Sequence, residues 1–207
     1  TLSKKFGISK TLLILPPYDD KIHIKLKISK LLKKKISNDV VFVGTWSNEK
    51  SFFLQELIKL GLDVKIFGSR WNKDENYKNI KDRISLGHLS FLNYTKIIQS
   101  AKIAICLFEK KNQDTITARS IEIPAIGTFL CSERTKTMEK YFIENKEAIF
   151  FNNASECVKK CNYYLDNSKK RNKISFMGKK KVTKILKPTN VNLIKKIIKE
   201  VFNNNKK

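Results

Sequence analysis

Short apolar runs recur along this chain, and a stretch long enough for a helix separates each from the next. The runs are Val40–Val43, Leu62–Phe67, Ile103–Phe108, Thr128–Cys131 and Ala148–Phe151, with a shorter one at Ile84–Leu86. A strand with one wet face alternates apolar and polar residues. VVFV and IAICLF do not alternate, so both faces of those strands must be covered. Helical apolar stripes lie between them: Ser51–Leu60, stopped by Gly61, then Phe91–Ser100, Lys136–Phe142 and Ser155–Leu165. This order predicts an α/β, Rossmann-like fold, a parallel sheet of about six strands flanked by helices. A basic helix is expected over Ser168–Leu186, ended by Pro188, and a last helix over Val191–Phe202. Thr11–Leu15 is a further strand candidate, stopped by Pro16 and Pro17. Lys21–Ser29 fits both strand and helix periodicity and is left unassigned.

In open α/β sheets ligands bind beyond the carboxyl ends of the strands. The stretch Asn112–Leu130 therefore draws attention, because it runs from the end of one strand through a polar loop and a short helix into the next strand. Asn112, Asp114, Thr115 and Thr117 can cap a helix. Arg119 follows at the helix entrance, where free N–H groups and the helix dipole also favour an anion. Its planar fork of donors suits a phosphate. Glu122 stands in the otherwise apolar run IEIPAIG and can accept hydrogen bonds from sugar hydroxyls, and Gly127 closes that run. The competing reading is an ordinary surface ion pair between Arg119 and Glu122. Gly44 and Thr45 end the first strand, and Lys50 lies at the start of the following helix, within reach of a diphosphate. Arg70 lies just past the second strand. The loop after Val43 has neither GxGxxG nor GxxxxGK[ST], so it is neither a dinucleotide fingerprint nor a Walker loop.

Charge bears on partners. Lys+Arg 43 against Asp+Glu 19 gives a formal net charge of +24, which raises nucleic acid as a partner. The excess is mostly lysine in runs such as Lys33–Lys35 and Lys179–Lys181, and the aromatic residues sit in apolar strands and helix faces. Without a stacking row interleaved with arginine, nucleic acid is disfavoured, and solvated helix faces or a peripheral contact with anionic membrane remain. The four cysteines, Cys106, Cys131, Cys157 and Cys161, include no CxxC pair, and His23 and His88 are far apart. No metal site is expected from that spacing. Free thiols fit a cytoplasmic protein, and no signal-peptide or membrane-spanning pattern is present. The first residue, Thr1, is not methionine, which predicts a piece of a longer protein or a trimmed one.

The residues resemble the C-terminal, donor-binding domain of GT-B-fold glycosyltransferases, most of all the bacterial spore-maturation-protein-like glycosyl transferases. The markers are LPPYD, DVVFVGTWSNEK, FGSRW, TARSIEIPAIGTFL, ENKEAIFF and MGKKKV, in order from about Pro16 to Val182. The resemblance implies a metal-independent glycosyltransferase half with no cofactor beyond its co-substrate, a nucleoside-diphosphate sugar. It also implies an N-terminal acceptor-binding domain as partner. Residues 1–38 would connect to that domain, residues 39–187 would bind the nucleotide sugar, and residues 188–207 would form a C-terminal helix and basic tail. Related enzymes carry two glutamates with seven residues between them. Glu122 matches the second, implied to hold the ribose hydroxyls, and Asp114 stands at the first. Gly44 matches the family glycine and Lys50 a basic residue, whereas Thr45 replaces a common arginine, a loss for which Arg119 would compensate. Arg70, Thr117 and Gly127 complete the candidate donor site, and no catalytic residue is assigned. A basic nucleic-acid-binding module and a non-catalytic Rossmann-like scaffold are the alternatives.

Overall fold

The computed structural model describes residues 14–204. In chain order the elements are α1 (Lys30–Ile36), β1 (Asn38–Val43), α2 (Asn48–Lys59), β2 (Val64–Gly68), α3 (Tyr77–Ile80), β3 (Ile84–Leu86), α4 (Phe91–Ser100) and β4 (Ala101–Cys106). Then come α5 (Ala118–Ile126), β5 (Phe129–Glu133), α6 (Lys136–Tyr141), β6 (Ile149–Phe151), α7 (Ala154–Asp166), α8 (Ser168–Lys180) and α9 (Asn190–Asn204). The strands form one six-stranded sheet in the order β3-β2-β1-β4-β5-β6. Every pairing is parallel, with Val40 beside both Val64 and Ile103, and Cys131 beside Ile149. The expected α/β Rossmann-like sheet is therefore present, with strand ends displaced by a few residues at most.

The sheet is covered on both faces, which is why its strands lack polar alternation. Val40, Phe42, Ile103, Ile105, Phe129 and Cys131 face α2 and α7, which contribute Leu54, Leu57, Cys157 and Cys161. Val41, Val43, Ala104, Cys106 and Leu130 face α4, α5 and α6 through Ile97, Ile98, Ile121, Ile126 and Met138. Leu54 and Leu57 are fully buried, each worth about 1.5–3 kcal/mol on transfer from water. Strand order reverses between β1 and β4. The loops on either side of that point diverge to opposite faces and leave a crevice at the carboxyl ends.

Three expectations change. The helix expected over Ser168–Leu186 is α8 followed by a π-helical turn, Lys181–Leu186, which ends at Lys187 with φ 45°. The Lys21–Ser29 segment is neither helix nor strand. Its main chain is instead held by one side chain, since Leu26 N–H donates to Gln99 Oε1 at 2.6 Å and Gln99 Nε2 donates to Leu26 O at 2.9 Å. Of the strand candidate Thr11–Leu15, residues 11–13 lie outside the described residues, and Ile14 and Leu15 are not in a strand.

Just before the Lys21–Ser29 segment, Tyr18 N–H donates to Pro188 O at 3.0 Å, and Tyr18 forms an isolated parallel bridge with Thr189. Along α9, Val191, Ile194, Ile197, Ile198, Val201 and Phe202 are exposed. Among the described residues no helix is long and apolar enough to cross a membrane.

Candidate functional site

The carboxyl ends of β1, β2 and β3 are stitched together by backbone. Gly44 N–H donates to Phe67 O at 2.9 Å, Trp46 N–H to Ser69 O at 3.1 Å, and Gly87 N–H to Gly68 O at 3.1 Å. The buried Trp71 ring donates from Nε1 to Gly44 O at 2.9 Å. Gly68 takes φ 147°, and a Cβ there would lie 2.1 Å from Gly44 O. Only glycine permits this approach. The result is a rim of bare backbone at Gly44, Gly68 and Gly87.

Facing this rim are α4 and α5. Ser90 caps α4, its Oγ accepting from Asn93 N–H at 3.3 Å, and Tyr94 lies on the next turn. Thr117 precedes α5 in an extended conformation, and its N–H donates to Ser120 Oγ at 3.3 Å. Arg119 and Glu122 follow three residues apart, so they lie on one helix face. Tyr94, Arg119 and Glu122, together with His23 and the glycine rim, line a cleft of about 240 Å³.

The cleft holds several polar groups sheltered from water. His23 is 6% exposed and Tyr94 is 7% exposed. His23 Nε2 stands 3.7 Å from Glu122 Oε1, and its ring meets Tyr94 edge-on at 5.9 Å. The Arg119 guanidinium lies 5.9 Å from the centre of the Tyr94 ring. Burial pushes the Tyr94 phenol well above its usual range, the Glu122 carboxylate adds to this, and Arg119 opposes it. Among the described residues His23 Nε2, the Tyr94 hydroxyl and Arg119 Nε are buried without a hydrogen-bond partner. Buried polar atoms are normally paired, so three orphans around one carboxylate mark a place prepared for polar contact.

The structure gathers four of the nine candidate residues here: Gly44, Thr45, Arg119 and Glu122. Among the described residues no ion pair joins Arg119 to Glu122, and the Glu122 carboxylate faces His23 Nε2 instead. The other five lie off the cleft lining. Lys50 is bound to Glu109 at 2.8 Å, an attachment that holds the Glu109 carboxyl below its usual range. Asp114 sits in the β4–α5 loop, its N–H on Glu109 O at 3.2 Å. Thr117 turns its Oγ1 toward Cys106 Sγ at 3.8 Å, and Arg70 is exposed beyond Ser69 with φ 65°. Gly127 is the clearest correction. It ends α5 with φ 101°, roughly 14 Å along the axis from the helix entrance at 1.5 Å per residue. There it lines a separate groove at the amino-terminal ends of β1, β4 and β5, with Lys25 and Lys179. It serves as a helix stop and not as a wall of the cleft.

Residues missed from sequence are His23, Tyr94, the Gly68–Ser69 pair and the Gly87–His88 pair. A glycine just past a strand signals the two pairs, as it did Gly44. Nothing local signals His23. A second grouping escaped the spacing argument. Cys131 Sγ lies 3.9 Å from both Cys157 Sγ and Cys161 Sγ, because two successive turns of α7 face one position of β5. Among the described residues this is the one group of three potential metal ligands. It is fully buried in the apolar layer shared with Phe129 and Phe151, where burial pushes the Cys131 thiol up.

No curated protein matches the chain significantly. Solved structures share its fold at low identity. The C-terminal domain of a glycosyl transferase group 1 family protein, LpcC from Francisella tularensis, aligns with a TM-score of 0.63 and 13% identity, over 81% of this chain and 97% of that one. HepE from Anabaena in complex with UDP and glucose aligns with a TM-score of 0.72 and 11% identity, over 95% of this chain. Sucrose-phosphate synthase from Thermosynechococcus elongatus aligns with a TM-score of 0.70 and 12% identity, over 98% of this chain. This chain spans only 58% of the HepE structure and 55% of the synthase. The glycosyl transferase-like family model matches residues 48–192, well over half of the chain. A rim of glycine backbone facing Arg119 and Glu122 across a parallel sheet is thus set in a chain that belongs to the glycosyl transferase-like family.

Proposed function

We propose that the cleft receives the nucleotide of a nucleoside-diphosphate sugar and that this chain is the donor-binding half of a glycosyltransferase. The observation that carries the reading is the placement of Arg119 and Glu122 at the entrance of α5, facing the glycine-ended strands. In this reading Glu122 accepts hydrogen bonds from the ribose hydroxyls, and the diphosphate lies toward Arg119 and the first turn of α5. Cleavage of the bond from sugar to diphosphate develops negative charge on the leaving group, and fixed donors aimed there lower the barrier. No bound metal is required for that task, and the HepE structure in complex with UDP and glucose supports the ligand class. Lys50 joins only if the diphosphate displaces Glu109. Within the family we place the chain with the spore-maturation-protein-like group, on its ordered markers.

At about 240 Å³ the cleft is smaller than the roughly 300–1,000 Å³ of complete small-molecule sites. That suits one wall of a site whose other wall, with the acceptor site and any catalytic base, belongs to a preceding domain. The exposed apolar side of α9 would pack toward that domain. The reading places the protein in the cytoplasm, with its lysine-rich surface available to anionic lipid. Calorimetric titration with UDP, GDP and a short oligonucleotide tests the proposal. One saturable site for a nucleoside diphosphate is expected. Oligonucleotide binding that collapses with salt, and none for either nucleotide, would overturn it.

A further inference from the structure

We infer that His23 is a positioning residue for Glu122, supplied by the segment ahead of the sheet, which thereby takes part in nucleotide binding. The inference rests on the donor-site reading above. His23 is held by its own turn. Asp19 Oδ1 accepts from Lys21 N–H at 2.8 Å and from Ile22 N–H at 3.2 Å. His23 N–H donates to Asp19 O at 2.8 Å. Asp19 N–H in turn donates to His23 Nδ1 at 3.0 Å. A ring whose Nδ1 accepts must carry its hydrogen on Nε2 when neutral. That Nε2 stands 3.7 Å from Glu122 Oε1 and is buried with no hydrogen-bond partner.

The distance of 3.7 Å is too long for a hydrogen bond, and a side-chain adjustment of under about 1 Å would close it to that range. A buried donor left in this state is costly. Rotation of Glu122 onto its ligand or onto His23 is therefore favoured over leaving both apart. The groups facing the imidazole are Glu122 and Arg119 on α5, Tyr94 on α4 and Asp19 in its own turn. Asp19 meets the ring at Nδ1 through its N–H, and the carboxylate on the Nε2 side is that of Glu122. The alternative, a histidine that merely fills space, would leave Nε2 irrelevant to the carboxylate.

Two measurements on this chain decide the matter. The first follows the His23 ring nitrogens by NMR at one fixed pH, in the wild type and in Glu122→Gln. Loss of the facing carboxylate should move the Nε2 resonance; an unmoved resonance in a folded variant overturns the inference, whether or not any nucleotide binds. The second compares UDP with 2′,3′-dideoxyuridine diphosphate. His23→Phe keeps the ring shape and removes Nε2. It should weaken UDP roughly tenfold, the scale of one hydrogen bond to a charged group, with little change for the dideoxy analogue. His23→Gln, which retains a donor, should recover part of the loss. Equal losses for both nucleotides would show a structural role and overturn the inference. If the wild type binds neither nucleotide, the donor-site reading fails, and the NMR comparison still tests the contact between His23 and Glu122.

Discussion

Gly68→Ala should be the most damaging single-methyl addition at the rim. The added Cβ would stand 2.1 Å from Gly44 O and 2.8 Å from Gly44 C, both backbone atoms. An ordinary carbon–oxygen contact needs about 1 Å more than the shorter of these distances. The ends of β1 and β2, joined by the Gly44–Phe67 hydrogen bond, must therefore move apart. The same shift pulls Gly44 O from the Trp71 indole, and a buried donor losing its partner costs about 1–3 kcal/mol. Holding alanine at φ 147° adds about 1–3 kcal/mol of strain. The sum is roughly 2–6 kcal/mol, with relaxation favouring the lower part of that range. Gly87→Ala is the control, because φ is 134° there but nothing lies within 4 Å of the new Cβ, so only the strain remains. Urea unfolding of the three proteins measures both effects. If Gly68→Ala costs no more than Gly87→Ala, the close approach does not hold the rim together.

Glu122→Gln should weaken nucleoside-diphosphate binding by about 1–3 kcal/mol, the range for a hydrogen bond to a charged group; unchanged calorimetric affinity in a folded variant would refute its role. Arg119→Ala should cost far more affinity for the diphosphate than for the nucleoside, and Lys179→Ala should change neither, whereas equal losses tracking ionic strength would mean non-specific charge. Acid should destabilise the fold partly through Glu156, whose carboxyl is held at about 2 chiefly by a hydrogen bond from Lys160. This lowered value contributes stability that is present above the unfolded value near 4.5 and lost as pH falls toward 2. Urea midpoints of Glu156→Gln should therefore vary less with pH in that window, and an identical pH slope would refute this. Finally, this chain should bind donor nucleotide without transferring sugar at a useful rate, so robust transfer to any of a panel of acceptors would show the acceptor machinery to be misplaced.

The sheet was legible because its strands are buried on both faces, and residues such as Val40–Val43 and Ile103–Cys106 can only be apolar there. Gly44, Arg119 and Glu122 were legible because strand ends and helix entrances are marked locally. Gly127 misled for the same reason. It follows the site residues in sequence, but a helix intervenes and carries it to the amino-terminal ends of the strands. Lys50 was placed at the right helix start, and its engagement by Glu109 depends on a loop distant in sequence. His23 and the meeting of Cys131 with Cys157 and Cys161 arise from packing between distant segments, which no local spacing encodes.

The contact between Tyr18 and residues Pro188 and Thr189 has a mechanical consequence. Whatever the chain carries beyond these two points enters and leaves the α/β unit at a single place. Tension applied there would load one bridge in shear and leave the six-stranded sheet slack until that bridge parted. A neighbouring body attached through both tethers would then swing about one narrow seam. Linking position 18 to position 189 covalently and reopening the chain at an exposed loop such as Gly61 should preserve the sheet, because those two points already lie together.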